Sequence, residues 1–137
     1  MVNAKTISPA IELAGRVLLA SLFVLEALSK LNAYDAAQGY MRAFGLPGQI
    51  LPLVIAVELG GGVLILLGWQ TRVAAFVLAA FCAAAAVIFH TKFGDRNQLL
   101  HFEKDLALAG AFLIVYAHGA GRYSIDALAL RRASVPS

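Results

Sequence analysis

Four apolar stretches, roughly residues 10–30, 49–68, 73–90 and 105–120, occupy most of this 137-residue chain. They confine it to helices packed side by side in a medium that tolerates apolar surface. Val63-Leu64-Ile65-Leu66-Leu67 and Ala83-Ala84-Ala85-Ala86-Val87-Ile88-Phe89 are apolar on every side, whereas a helix on the surface of a soluble bundle keeps a polar face. A helix that crosses a bilayer takes about 20 residues, within a range of about 17–25. The first three stretches meet that length. The fourth is short and must recruit the polar run 99–105 at its start. The chain is 61% hydrophobic and 14% charged, against roughly 45–50% and about 25% for soluble domains. The expected fold is all-α: a four-transmembrane-helix bundle forming a single integral membrane domain over 1–137. A soluble bundle with unusually greasy helices is the competing reading.

The first stretch is expected to be a retained helix and not a cleaved leader. Glu12 and Arg16 interrupt its apolar run, and no small-x-small cleavage site accompanies Lys30. Ser8-Pro9 predicts the helix start, with Ser8 as cap and Pro9 in the first turn. Glu12 and Arg16, four apart with the acid first, are expected to form an interfacial ion pair. In the first long loop, Tyr34, Ala37, Tyr40, Met41 and Phe44 recur at helical spacing, which predicts a short interfacial helix. Gly68-Trp69-Gln70-Thr71-Arg72 is a tight turn that makes spans two and three antiparallel neighbours, with Trp69 as an interface anchor. The segment after span four reads as a weakly structured tail ending at Arg131-Arg132.

The net charge of +3 is spread over the loops, with no basic patch interleaved with aromatics, so nucleic acid is not an expected partner; membrane lipid is. Cys82 is the single cysteine, which excludes an intramolecular disulfide and Cys-x-x-Cys chemistry. Gly60-Gly61-Gly62 and the Ala75, Ala79, Ala83 face predict close helix–helix packing through small residues.

Two carboxylates lie well inside apolar stretches: Glu26 and Glu58. A charged side chain in hydrocarbon costs about 3 kcal/mol or more, so it faces a partner, a cavity or a ligand. Lys30 follows Glu26 by four residues and can neutralise it. With four spans, both long loops emerge on one side, which places Lys30, His90 and His101 above Glu26 and Glu58. These five residues, Glu26, Lys30, Glu58, His90 and His101, form the expected polar pocket, a funnel leading toward Glu58. His90 and His101 are 11 residues apart with no companion at ligand spacing, so no metal site is expected. The termini side carries Lys5, Arg16, Arg72, Arg122, Arg131 and Arg132, against Lys30, Arg42, Lys92, Arg96 and Lys104 on the long-loop side. That imbalance favours cytoplasmic termini.

Several motifs resemble the DoxX family in order along residues 10–127. They include Arg16-Val17-Leu18-Leu19-Ala20-Ser21-Leu22-Phe23, Leu28-Ser29-Lys30-Leu31, Phe44-Gly45-Leu46-Pro47 and Glu58-Leu59-Gly60-Gly61-Gly62. Leu67-Gly68-Trp69-Gln70-Thr71-Arg72, His101-Phe102-Glu103-Lys104-Asp105-Leu106-Ala107 and Gly121-Arg122-Tyr123-Ser124-Ile125-Asp126 complete the set. The resemblance implies a multi-pass bacterial inner-membrane protein with four transmembrane helices, from a family that includes a small subunit of thiosulfate:quinone oxidoreductase. Many relatives carry Gly where this chain has Ala27, and no family catalytic residue is carried over. Two functions then compete. One is a quinone-linked subunit of a membrane oxidoreductase, with quinone as the candidate cofactor, Glu26, Glu58 or His90 relaying protons, and an oxidoreductase partner supplying electrons. The other is a non-catalytic scaffold or assembly factor for a redox partner, or a homo-oligomer. A small transporter ranks below both, since four spans leave little room for a pathway.

Overall fold

The computed structural model describes residues 4–136, all of whose regular structure is helical. The helices are α1 (Ala4–Asn32), α2 (Tyr34–Ala43), α3 (Leu51–Leu67), α4 (Thr71–Phe89), α5 (Arg96–His118) and α6 (Ile125–Ala133), with a single 3-10 turn at Gly48–Ile50 before α3. The all-α expectation holds. Two segments, Gly48–Leu67 and Thr71–Phe89, are long and apolar enough to cross a membrane by composition. The more heavily charged α1 and α5 flank them.

Three boundaries differ from the sequence expectation. Helix α1 begins at Ala4, so Pro9 lies inside it instead of starting it. Helix α5 begins at Arg96, nine residues before the apolar stretch, because Asp95 caps it: its carboxylate accepts from the Asn97 amide at 2.9 Å. The expected tail instead folds as α6. There the Ser124 hydroxyl accepts from the Ala127 amide at 3.1 Å, Asp126 sits in the first turn and Arg131 and Arg132 in the last, as the helix dipole favours. The short helix of the first loop is present as α2, ending where Gly45 takes φ +80.

Helix α1 packs along α3, α3 against α4, and α4 along α5. The centre is aromatic. The Phe23 ring of α1 meets Phe112 of α5 edge-on at 5.3 Å and Phe81 of α4 at 6.4 Å. A second cluster joins Met41 of α2 to Ala27, Leu51 and Ile55. The three glycines of α3 divide their roles. A Cβ at Gly61 would press Leu78 of α4 at 2.9 Å, and one at Gly62 would meet Val24, Ala20 and Phe23 of α1 at 3.1–3.3 Å. Gly60 is exposed, and a Cβ there would meet nothing within 4 Å. The small face of α4 also drifts. Ala75 and Ala79 are buried, but Ala83 is half-buried, and Cys82 and Ala86 take the core positions beyond. A step of four residues overshoots a helical turn by about 40°, so a strict spacing of four rotates off the contact line.

The turn between α3 and α4 is held from three directions. Gly68 ends α3 in the left-handed conformation (φ 66), and Gln70, also left-handed (φ 49), precedes α4. Asp126 of α6 reaches across: its carboxylate accepts from the Gln70 amide at 2.9 Å and the Thr71 amide at 3.0 Å, and its own amide donates to the Gly68 carbonyl at 2.9 Å. Buried Arg16 donates to the Ile65 carbonyl at 3.2 Å and to the Tyr123 carbonyl. Arg72 donates to the Tyr116 and Ala117 carbonyls at the end of α5, both at 3.1 Å.

This clamp carries a pH signature. Partial burial pushes the Asp126 carboxyl upward, but the hydrogen bonds at Thr71 and Gln70 and the Arg16 charge outweigh that and hold it below the ordinary aspartate range. A carboxylate depressed in the folded state adds stability that is complete above its unfolded value and is lost as pH falls through its folded value. Wild type is therefore expected to exceed Asp126→Asn by about 1 kcal/mol at neutral pH, since Asn keeps one acceptor oxygen for two backbone amides and carries no charge for Arg16. The difference shrinks below the ordinary aspartate range. Thermal melts of both proteins across that range check it; a gap constant with pH would refute the assignment.

Candidate functional site

A cavity of about 700 Å³ opens between the long-loop ends of the helices. Leu22, Val54, Phe81 and Leu108, one from each long helix, give it an apolar wall. All five residues expected to form a polar pocket line it: Glu26, Lys30, Glu58, His90 and His101. They fall into two groups, on different walls.

The first group joins α1 to α3. Lys30 Nζ lies 3.0 Å from Glu58 Oε1 and 3.3 Å from Glu26 Oε2, so one ammonium bridges both acids. The acids differ in depth. The Glu58 side chain is 5% exposed and that of Glu26 is 56% exposed. Glu26 is therefore a rim residue, although it lies well inside its apolar stretch, because it projects beside Lys30 and away from the core. Glu58 projects inward one turn before Gly61 and Gly62, which bring α4 and α1 close. Its second oxygen, Oε2, is buried without a hydrogen-bond partner.

The second group joins α4 to α5. His90 follows the last residue of α4 and is held by three residues of α5. Its Nδ1 lies 3.1 Å from Gln98 Oε1, its ring stacks on His101 at 5.0 Å and 22°, and its Nε2 faces Asp105 Oδ2 at 3.6 Å. Because the histidines meet face to face, their nitrogens do not converge on a point. Among the described residues no group of three His, Cys, Asp or Glu side chains is placed to hold a metal ion. Beside this group, Tyr40 of α2 stacks on Phe89 at 5.4 Å and 27° at the cavity edge. Partial burial, with the Asp105 charge adding to it, pushes the Tyr40 phenol above its ordinary value.

The sequence reading missed Gln98, Asp105 and Cys82 as cavity residues. A signal for the first two was present: Gln98, His101, Asp105 and Leu108 follow 3-4-3 spacing, one face of a helix, once Asp95 is recognised as the cap. The Glu12–Arg16 pair does not form. Among the described residues no ion pair joins them. Arg16 turns into the bundle toward backbone carbonyls, while Glu12 lies over Gly121, whose φ of +79 and missing Cβ make room for that carboxylate. Both sit at the clamp, and Arg16 is about 15 Å along α1 from Glu26 by helix rise.

A helical bundle with apolar outer faces and a cavity that is apolar in its wall and ionic at two places is the architecture of a small membrane protein. The chain belongs to the DoxX family, whose model matches residues 11–91. It is similar to the inner membrane protein YqjF of Escherichia coli (strain K12), 42% identical over 85% of this chain and 89% of the relative. It is also similar to the inner membrane protein YphA of the same organism, 31% identical over 86% of this chain and 89% of that relative. A third similar protein is named "Putative oxidoreductase CatD", from Bacillus subtilis (strain 168), 33% identical over 53% of this chain and 54% of that protein. No solved structure matches the chain.

Proposed function

We propose that this chain is a four-span inner-membrane protein with cytoplasmic termini, and that its cavity binds a quinone as part of a membrane oxidoreductase. The buried, unpartnered Glu58 Oε2 at the cavity wall carries this reading. A buried polar atom without a partner is costly, and a ligand oxygen that hydrogen-bonds there removes the cost.

The span count rests on length and on the outer surface. By helix rise α1 and α5 are about 43 Å and about 35 Å long, enough to cross hydrocarbon about 30 Å thick. Large apolar side chains point outward from all four long helices, among them Leu18, Leu25, Leu53, Val73, Val87 and Ile114. The inner-membrane placement follows the names of the two Escherichia coli relatives.

The cavity residues fit a quinone. The apolar wall suits its ring and isoprenoid tail, and Lys30, Glu58 and His90 supply polar atoms at the ring's oxygens. When bound, a quinone supplies two-electron, two-proton chemistry, its electrons coming from a donor protein. Glu58 takes up a proton at Oε2 when the quinone binds, Lys30 fixes its other oxygen, and rim-exposed Glu26 exchanges protons with solvent. The CatD name supports an oxidoreductase setting. The Lys30 bridge between α1 and α3 favours the scaffold alternative, in which Glu58 only ties helices together.

Small molecules extracted from protein purified in mild detergent decide between them by mass spectrometry. Wild type is expected to carry near-stoichiometric quinone. Glu58→Leu, still folded, is expected to carry about tenfold less, the effect of losing one hydrogen bond to the ring oxygen. Quinone at equal levels in both proteins, or in neither, overturns the redox reading; a stoichiometric protein partner with no quinone replaces it with the scaffold.

A further inference from the structure

The cavity has two separately built polar positions, and each leaves one atom unspent. On α3, Glu58 uses Oε1 for Lys30 and keeps Oε2 free. On α4, His90 uses Nδ1 for Gln98, and its Nε2 faces Asp105 at 3.6 Å, inside ion-pair range but too far for a hydrogen bond. Gln98 Oε1 is an acceptor, so Nδ1 carries a proton in this arrangement, and a proton on Nε2 as well makes an imidazolium beside the Asp105 carboxylate. Stacked on His101, the His90 ring is held on its face and along one edge before any ligand arrives.

The two unspent atoms do not reach each other. Across the α3–α4 hairpin, Glu58 and His90 lie at levels about 15 Å apart by helix rise. Helical side chains tilt toward the N-terminus of their own helix. The two helices run antiparallel, so Glu58 leans toward the long-loop end and His90 leans back toward Glu58. The cavity lies along both.

We propose that the cavity recognises a ring bearing an oxygen at each of two opposite edges, one bound at Glu58 Oε2 and the other at His90 Nε2, with Asp105, Gln98 and His101 as positioning residues for His90. This rests on the quinone reading and narrows it to the para-dicarbonyl class. A ligand with one polar end fills only the Glu58 position. Such discrimination is strong where a site is built for a second polar group, because a ligand lacking it strands the protein's own donor.

The test measures dissociation constants of decylubiquinone and decylphenol for full-length protein in detergent. The first ligand has two ring carbonyls; the second has a single hydroxyl and a similar tail. Wild type is expected to bind decylubiquinone at least about tenfold more tightly than decylphenol, the worth of one charge-assisted hydrogen bond. Asp105→Asn and His90→Gln are expected to abolish that preference by weakening decylubiquinone alone. Unchanged decylphenol affinity shows that the cavity is intact in each variant. Glu58→Leu is expected to weaken both ligands. If Asp105→Asn and His90→Gln leave decylubiquinone affinity as in wild type while Glu58→Leu weakens it, the two-ended recognition is wrong and the quinone site stands. If wild type binds neither ligand, the quinone reading falls and this inference with it.

Discussion

Lys30→Met is expected to destabilise the protein by about 3 kcal/mol, near the lower end of the cost of stranding one member of a buried ion pair. The lower end applies because Lys30 keeps 25% of its side chain exposed, whereas Glu58 keeps only 5%. Water therefore reaches the ammonium but hardly reaches the acid, and removing Lys30 leaves Glu58 with neither solvent nor partner. The companion variant Lys30→Met/Glu58→Leu is expected to recover most of the loss, since replacing both members of such a pair by apolar groups is often neutral or stabilising. Glu26→Gln is expected to change stability little, because more than half of that side chain is exposed and such pairs contribute about 0–1 kcal/mol. Unfolding in mixed micelles by denaturing detergent reads all three. A Lys30→Met protein as stable as wild type would show that Glu58 does not depend on this ammonium.

Gly68→Val is expected to be at least as damaging, by a mechanism without charge. Gly68 sits at φ +66, where a side chain costs about 1–2 kcal/mol in the left-handed region. A Cβ there would also run into the Arg16 guanidinium and the Ser124 side chain. Overpacking of this kind adds about 1–3 kcal/mol. It also dislodges Arg16 from the Ile65 and Tyr123 carbonyls and disturbs the Asp126 contact with the Gly68 carbonyl. The expected result is a protein that unfolds early in the same titration and loses the contact of α6 with the α3–α4 turn, seen as rapid proteolysis after residue 120. Gly60→Val serves as control, since Gly60 has open space around it. If both variants behaved alike, the clamp would not be a structural element.

The DoxX motifs divide between the clamp and the cavity, and their legibility differs accordingly. Glu26, Lys30, Glu58, His90 and His101 could be placed together from topology because four antiparallel helices put both long loops on one side. Their relative depth was also legible, since Glu26 lies near the long-loop end of its stretch and Glu58 near the middle of its own. That one Lys30 ammonium bridges both acids was not, because it depends on the rotation of α1 against α3. Gln98 was hidden behind the late boundary assigned to α5, since hydropathy marks where a helix becomes apolar, not where its cap begins, and Asp105, though on the long-loop side by sequence, was not matched to His90. Arg16 and Glu12 have the spacing of a pair. The spacing permits the contact but does not require it, and two backbone carbonyls far along the chain outbid it.

The all-α fold, the order of the long helices, the tight α3–α4 turn and the presence of charge inside apolar segments were determined by the sequence alone, whereas α6 reads there as a tail. Each follows from local periodicity, turn chemistry and the cost of placing charge in hydrocarbon. The tertiary structure alone decided that Lys30 bridges two acids, that His90 is held by a face of α5, and that Asp126 caps α4 from 55 residues away. These depend on helix rotation and on long-range partners, and a rotation of one residue step, about 100°, changes every contact while leaving the hydropathy pattern unaltered.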